Sequence, residues 1–210
     1  RGWYTIQSVT APMAGYVTYQ SKLKLCDSSV SLDIVLTRDG TVYGTDTSSG
    51  YSTEGVNTST GNFTYKMSDL ALPGIGPSFV FERAYNSQDK TDGPLGVGWT
   101  WSNHITLTEE PEGEIVVRWG DGKIEVWKPD GSDGYEPMYG VFSTLVVNPD
   151  NTLTLRRKDR TEFRFDLTLR LAAIADEYGN TLAFSYSGDD LATVTDTAGR
   201  VIQANRKSAE

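Results

Sequence analysis

The chain is short of the residues that most catalysis and most covalent cross-linking require. Its 210 residues include one cysteine, Cys26, and one histidine, His104. A lone cysteine cannot form a disulfide within the chain, so no disulfide framework supports the fold. Cys26 reads as a small buried hydrophobe, with a thiol joined to another chain as the alternative. A Ser–His or Cys–His nucleophile would have only His104 as its base. That residue follows Trp101 near a strand start with no flanking pattern, which reads as structural or exposed. One His and one Cys exclude an ordinary zinc site. Asp130-Gly131-Ser132-Asp133-Gly134 lacks the closing Glu of a calcium loop and reads as a turn. There is no phosphate-binding glycine loop. Carboxylate pairs suited to glycoside hydrolysis could be drawn from the 28 acidic residues, but their separation is not written in the sequence. No catalytic, cofactor-binding or metal-ligating residue is assigned, no cofactor is expected, and the chain reads as a non-enzyme.

Positive charge is also scarce. Nineteen Lys and Arg face 28 Asp and Glu, giving a net charge of −9 and a pI near 4.7. A nucleic-acid surface needs clustered cations. Only Arg156, Arg157, Lys158 and Arg160 cluster here, among acidic neighbours, as a solvated hairpin end would. No apolar run is long enough to span a membrane. No signal peptide is present, but the chain starts at Arg1, so a larger precursor that carried one is expected. Abundant Ser, Thr, Asn and Gly suit a secreted or cell-surface β protein.

What the chain does contain is β patterning. At this length about 70% of the unfolded surface can be buried, so the 38% of hydrophobic residues can form a core. In residues 1–54, Leu23 and Leu25, then Leu32, Ile34 and Leu36, alternate with polar residues as in short strands. Arg38-Asp39-Gly40-Thr41 signals a hairpin. Patterning stops over 45–55, which reads as a linker or exposed loop. Beyond it, Leu72-Pro73-Gly74-Ile75-Gly76-Pro77 cannot be a strand interior. Phe79, Phe81, Arg83 and Tyr85 share a strand face, and Arg83 among aromatics suggests a cation–π stack with a buried salt bridge. Trp99 and Trp101 share a face. The segments 115–119 and 124–127 flank an Asp-Gly turn.

A period organises the C-terminal part. Leu171, Ile174, Asp176 and Gly179 recur 20 residues later as Leu191, Val194, Asp196 and Gly199, below the aromatic pairs Phe163/Phe165 and Phe184/Tyr186. Fixed periods mark arrays of stacked units. Leu182, Phe184 and Tyr186 fall on one strand face. The period overrides the helical propensity of the Ala-rich stretch after Leu169. The expected fold is all-β, made of antiparallel hairpins and a meander. Expected divisions are an N-terminal β segment at 1–54, a lead-in segment at 55–110, and hairpins running into repeats at 111–210.

These residues resemble the RHS/YD-repeat family. Phe165-Asp166-Leu167-Thr168-Leu169-Arg170-Leu171 looks like the aromatic-Asp-x-x-Gly-Arg-Leu core of a YD repeat, with Leu169 where glycine is expected. Asp176-Glu177-Tyr178-Gly179-Asn180 and Asp196-Thr197-Ala198-Gly199-Arg200 are similar to the turns between repeats. In the second unit Tyr186-Ser187-Gly188-Asp189-Asp190-Leu191 is one residue short. Upstream, Thr60-Gly61-Asn62-Phe63, Asp69 through Gly74, Arg83-Ala84-Tyr85-Asn86-Ser87 and Gly93 through Trp99 resemble, in that order, the segment that precedes the repeats of large bacterial RHS proteins. The resemblance covers about 55–203 and leaves residues 1–54 unassigned.

It implies the beginning of a β-ribbon shell: a structural scaffold that encloses or displays a C-terminal, often toxic, segment of a larger secreted or cell-surface protein. The implied partners are further repeats and that C-terminal cargo. The family's self-cleaving aspartyl site has no matching residues here. The alternative function is a carbohydrate-binding or adhesive module contacting cell-surface glycans, since five Trp and eleven Tyr could supply a stacking platform. Core-like spacing argues that most of these rings are buried. Asn57-Thr58-Ser59 and Asn62-Phe63-Thr64 match glycosylation acceptors but read as turn residues.

Overall fold

The computed structural model describes residues 3–5, 22–24, 44, 50–58, 60–138 and 140–204. Cys26, Leu25, the 32–36 alternation and the Arg38–Thr41 hairpin signal lie outside the described residues. The chain forms two compact units, Arg1–Val42 and Tyr43–Glu210. In the first, strands β1 (Trp3–Thr5) and β2 (Lys22–Lys24) pair antiparallel. The described residues contain strands and no helix, so the fold is all-β.

The second unit is built from hairpins. A three-stranded sheet orders β3 (Thr64–Leu72), β4 (Phe79–Asn86) and β7 (Trp99–Trp101), beside a small ribbon of β5 (Asp92–Gly93) and β6 (Gly96–Val97). A four-stranded sheet follows, ordered β11-β10-β9-β8, with β8 at Thr106–Glu109, β9 at Ile115–Arg118, β10 at Ile124–Pro129 and β11 at Tyr135–Pro137. The third sheet is a seven-stranded meander in chain order. Its strands are β12 (Thr144–Val147), β13 (Leu153–Arg156), β14 (Glu162–Phe165), β15 (Leu171–Ala175), β16 (Thr181–Ser187), β17 (Asp190–Thr195) and β18 (Val201–Gln203).

The period-2 pattern explains the packing. Leu153, Leu155, Phe163, Phe165, Leu171, Ile174, Leu182, Phe184 and Val194 bury one face of the meander. Thr144, Arg156, Arg164 and Ser185 stand on the other. The buried face shares one core with Leu107, Ile115, Val117, Trp119 and Trp127 of the four-stranded sheet, and with Phe79 and Trp101 of the three-stranded sheet. Trp119 meets Phe163 edge-on at 5.2 Å. An isolated bridge between Thr106 and Arg170 joins β8 to the repeat region.

One turn recurs through both larger sheets. At 110–114, 119–123, 148–152, 157–161, 166–170, 176–180 and 196–200, the first N–H donates to the fifth carbonyl and the fourth N–H to the first carbonyl. The fourth residue has positive φ each time: Gly113, Gly122, Asn151, Arg160, Leu169, Gly179 and Gly199. This is the three-residue hairpin loop that ends in a left-handed residue. Leu169 takes φ 62° in the glycine slot. The left-handed region costs an L-residue about 1 kcal/mol. Leu169 recovers part of that by packing on the core and by accepting the Leu107 N–H at 3.2 Å.

The missing residue of the second repeat has a simple cause. β16 and β17 join through the two residues Gly188 and Asp189, with Ser187 opposite Asp190 and φ 60° at Gly188. A two-residue loop with a left-handed first glycine replaces the three-residue loop at 166–170. The aromatic pairs are therefore 21 apart, whereas the Leu-to-Gly sets below them are 20 apart. Register shifts fall at equivalent places, Arg164/Phe165 and Ser185/Tyr186. The two repeats clasp each other: Arg170 lies 4.5 Å over the Tyr186 ring and donates to Gly188 O at 2.6 Å. The Tyr186 hydroxyl donates to Leu171 O at 2.9 Å, and burial pushes its pKa up to about 12.

The turn carboxylates tie stability to pH. Asp176 accepts the Asn180 side-chain amide at 2.7 Å and the N–H groups of Asn180 and Tyr178, which hold it below the usual range. Bonds from Thr152 lower Asp150, and bonds from Ser132 and Thr161 lower Asp130 and Asp159. At Asp166 and Asp196 burial pushes upward, and bonds from Thr168, Arg170, Ala198 and Arg200 outweigh it. Carboxylates depressed by folding contribute stability above their unfolded pKa and lose it as pH falls through the folded one. His104 moves the other way in charge but the same way in stability. Burial, aided by Arg118, lowers its pKa, so the unfolded chain takes up a proton first below about pH 6.5. The melting temperature should therefore fall in two stages, slightly below about pH 6.5 and steeply below about pH 4. Melting followed by circular dichroism at pH 7, 5.5 and 3 tests this, with Asp176→Asn and Asp196→Asn flattening the lower stage. A melting temperature constant down to pH 3 would refute it.

Candidate functional site

The lead-in segment is held by a buried asparagine network. Asn57, Asn62 and Asn86 are 2%, 0% and 1% exposed. The Asn86 side-chain oxygen accepts the Asn62 amide and the Gly44 N–H, both at 2.9 Å, and its amide donates to Asp121 O at 2.9 Å. Asn62 Oδ1 accepts Gln88 N–H at 3.2 Å, and Asn57 Oδ1 accepts Thr60 N–H at 3.1 Å. A planar amide offers a donor and an acceptor at fixed geometry, which lets one residue lock a loop to a sheet. Burial also removes Asn57 and Asn62 from the reach of a glycosylating enzyme. A second tie is ionic: buried Asp89 pairs with Arg118 of β9, which also donates to Thr91 Oγ1 at 2.9 Å.

Arg83 does stack, with its guanidinium 5.6 Å from the Trp99 ring. Its salt bridge is at the surface rather than buried: Nε and Nη2 reach Asp69 at 2.5 and 2.9 Å, with side chains 36% and 29% exposed. The cause is a bulge between Ser68 and Leu70, which puts Asp69 out of register with β4. The pair lowers the Asp69 pKa and raises that of Arg83 through their shared hydrogen bonds. Around it the sheet face is aromatic. Tyr85 and Trp99 lie 5.1 Å apart, and Tyr65 meets Trp99 edge-on at 6.4 Å. Tyr65 and Met67 are exposed. Trp101, on the same face, turns into the core and stacks on Phe81 at 5.3 Å.

The arc at residues 72–78 crosses the repeat turns. A Cβ on Gly76, whose φ is +79°, would lie 2.5 Å from Asp176 Oδ2 and 2.6 Å from Asn180 Cβ. A Cβ on Gly74 would lie 2.7 Å from Thr197 Oγ1. Arg200, held by Asp196 at 2.5 Å, donates to Pro73 O at 2.6 Å. The Pro-Gly pattern is therefore a close backbone approach onto the turns at 176–180 and 196–200.

Between the sheets lies a cleft of about 460 Å³. Ile105, Phe163, Ile174 and Leu182 supply its apolar lining; Glu82, Asn103, Trp119, Lys123, Glu125 and Arg157 supply its polar lining. Glu125 pairs with Val117 across β9 and β10, so it stands on the face that carries the core. Its Oε1 accepts from Lys123 at 2.8 Å, while Oε2 is buried without a partner among the described residues. Trp119 Nε1 is likewise buried and unbonded, and Arg157 lies 4.7 Å over its ring. Of the basic cluster, Arg156 pairs with Glu162 and Arg160 with Glu177.

His104 Nδ1 lies 3.3 Å from Thr100 Oγ1. Thr100 is 2% exposed, so that pair offers no hydroxyl to a substrate. Asp130 accepts the Ser132 and Gly134 N–H groups at 2.8 and 3.1 Å, which is a turn. Among the described residues no group of His, Cys, Asp and Glu is placed to hold a metal ion, and no helix is long and apolar enough to cross a membrane. The sequence reading missed Glu125 and Trp119; the only signal was a Glu inside the apolar run 124–127. It also missed the asparagine network, whose members look like turn residues one at a time.

Residues 53–127 match a family model described as a domain of unknown function, DUF6531. They span the asparagine network, the glycine–proline arc and the four-stranded sheet through Trp127. The chain is 28% identical over 133 residues to the tRNA nuclease WapA of Bacillus subtilis strain 168 and to the tRNA(Glu)-specific nuclease WapA of Bacillus subtilis subsp. natto. It has the same identity to the tRNA3(Ser)-specific nuclease WapA of Bacillus spizizenii. Each match takes in 63% of this chain and 6% of the relative. The chain thus contains a DUF6531 segment and is distantly similar to a small part of WapA.

Proposed function

We propose that this chain is a non-enzymatic scaffold: the opening part of an RHS/YD-repeat shell in a larger secreted or cell-surface protein. The observation that carries this is the meander. Seven strands follow one another in chain order, five of their six connections use the same turn, and among the described residues β18 pairs with β17 alone. A sheet extended by repetition ends on an edge that the next hairpin can continue, and an uncovered edge is a pairing template. The lead-in arc packs on the turns along one margin of this sheet, so it acts as the fixed end from which repeats are added. Partners on this reading are the following repeats, bound at β18, and a C-terminal cargo inside or beyond the shell. The nuclease activity named for the relatives belongs, on this reading, to sequence outside the small part that this chain resembles.

Hydrogen exchange tests the proposal. In the 210-residue chain, the amides of β18 should exchange faster than those of β14 and β15 by at least tenfold. Appending a second copy of residues 163–203 should slow β18 to the rate of its neighbours. Full protection of β18 without the added copy would overturn the reading. So would cleavage of tRNA by the chain alone.

A further inference from the structure

We propose that the cleft between the sheets is a binding site for a pyranose ring, so that this part of the molecule recognises a glycan in addition to acting as a scaffold. Two buried groups of the cleft lack a hydrogen-bond partner among the described residues. Most buried polar atoms in folded proteins are bonded, and a carboxylate oxygen left without a partner in a core costs far more than a neutral group. Glu125 is nine-tenths buried at its side chain, and Lys123 engages only one of its oxygens. Trp119, 7% exposed, has an indole N–H with no acceptor. Both residues line the same cleft.

The two orphans have opposite sense: one accepts, the other donates. A cation would satisfy Glu125 and leave Trp119 unbonded; an anion would do the reverse and be repelled by Glu125. A hydroxyl-bearing ring answers both, because each hydroxyl donates and accepts. The apolar lining by Ile105, Phe163, Ile174 and Leu182 suits the C–H face of such a ring. Asn103 and Glu82 add further polar groups at the walls. The volume falls within the range of small-molecule pockets. Both orphan atoms are shielded from bulk water, so entry requires side-chain rotation. Lys123, 40% exposed at its side chain, and the exposed Arg157 have that freedom.

The aromatic face of the three-stranded sheet is the weaker glycan platform. Arg83 already lies over Trp99, and Tyr65 meets the ring edge-on. The two locations are separable by experiment.

The test is titration of the ¹⁵N-labelled 210-residue chain with N-acetylglucosamine tetramer, cellotetraose and mannotriose, following the five indole N–H resonances. At least one saccharide should shift the Trp119 resonance saturably, while glycerol at equal hydroxyl concentration should not. Glu125→Gln should weaken the response at least tenfold, and Trp119→Phe, which keeps a ring but removes the N–H, should weaken binding independently, read from the backbone amide shifts of β9 and β10. A saturable shift confined to Trp99 would overturn the cleft assignment, as would a response unchanged in Glu125→Gln. Absence of a saturable shift with all three saccharides would overturn glycan recognition. None of these outcomes bears on strand pairing at β18, so the scaffold reading stands or falls separately. A well-dispersed amide spectrum for each variant shows that a lost response is not lost folding.

Discussion

Replacing Gly120 with alanine should lower the melting temperature by about 6–12 °C, the equivalent of roughly 3 kcal/mol in a chain of this size. A Cβ at this position would be driven into the carbonyl of Ser102 and sit 2.5 Å from Trp101 O. Both are backbone atoms, and neither can retreat cheaply. Ser102 N–H donates to Glu82 O at 2.8 Å and its hydroxyl to Val80 O at 2.6 Å, while Trp101 O accepts the His104 N–H at 2.8 Å. The added methyl must push the β9–β10 turn away from β7, opening the core between Trp101 and Trp119. Interiors packed to crystal density do not absorb such a shift. Thermal melts of wild type and Gly120→Ala decide the matter; a difference under 2 °C would mean that the backbone at Ser102 can give way to a methyl group.

Asn86→Ala should cost a similar amount, about 3–4 kcal/mol, by a different route. It removes the acceptor of the Asn62 amide and the Gly44 N–H together with the donor to Asp121 O. Each buried group stranded in this way costs about 1–3 kcal/mol, and neighbours in one network do not add fully. Asn86→Asp should also destabilise, because it keeps the acceptors, loses the donor and buries a charge. Denaturant titration gives the energies. Hydrogen exchange should show amides of 57–64 deprotected while those of β13 to β16 remain slow. Equal loss of protection in both regions would show that the network supports the whole unit rather than the lead-in segment.

The fold was legible where the local code is repeated. The 20-residue offset, the aromatic alternation and the Asp-x-x-Gly turns specify β14 to β18 without tertiary information. Leu169 illustrates the limit of that code: a leucine at φ 62° is invisible to turn propensity and is tolerated because its side chain packs on the core. Asn151 and Arg160 take the same slot in two more copies of the turn, without the core packing of Leu169: asparagine enters the left-handed region readily, and Arg160 is exposed with an ion pair to Glu177. The candidate site was less legible because its parts are far apart in sequence. Asn62 and Asn86 meet across 24 residues, and Glu125 is unusual only once its strand face is known. Arg83 was singled out by its aromatic company, and the stack exists. The bulge that leaves its ion pair at the surface depends on pairing with β4, which alternation alone does not encode.

The latch between Arg200 and Pro73, 127 positions apart, also dictates when the glycine–proline arc can be fixed in place. Each hairpin closes over a few residues and can form in microseconds, but the latch cannot close until the turn at 196–200 exists. At 5–20 residues per second of synthesis, the glycine–proline arc waits on the order of ten seconds for its partner. Non-local closure of this kind is the slow step of β-rich folding. The glycine–proline arc is thus secured only after the strands that follow it in the chain have formed. Variants that loosen the latch should prolong that interval, leaving the nascent N-terminal portion open to proteases and chaperones.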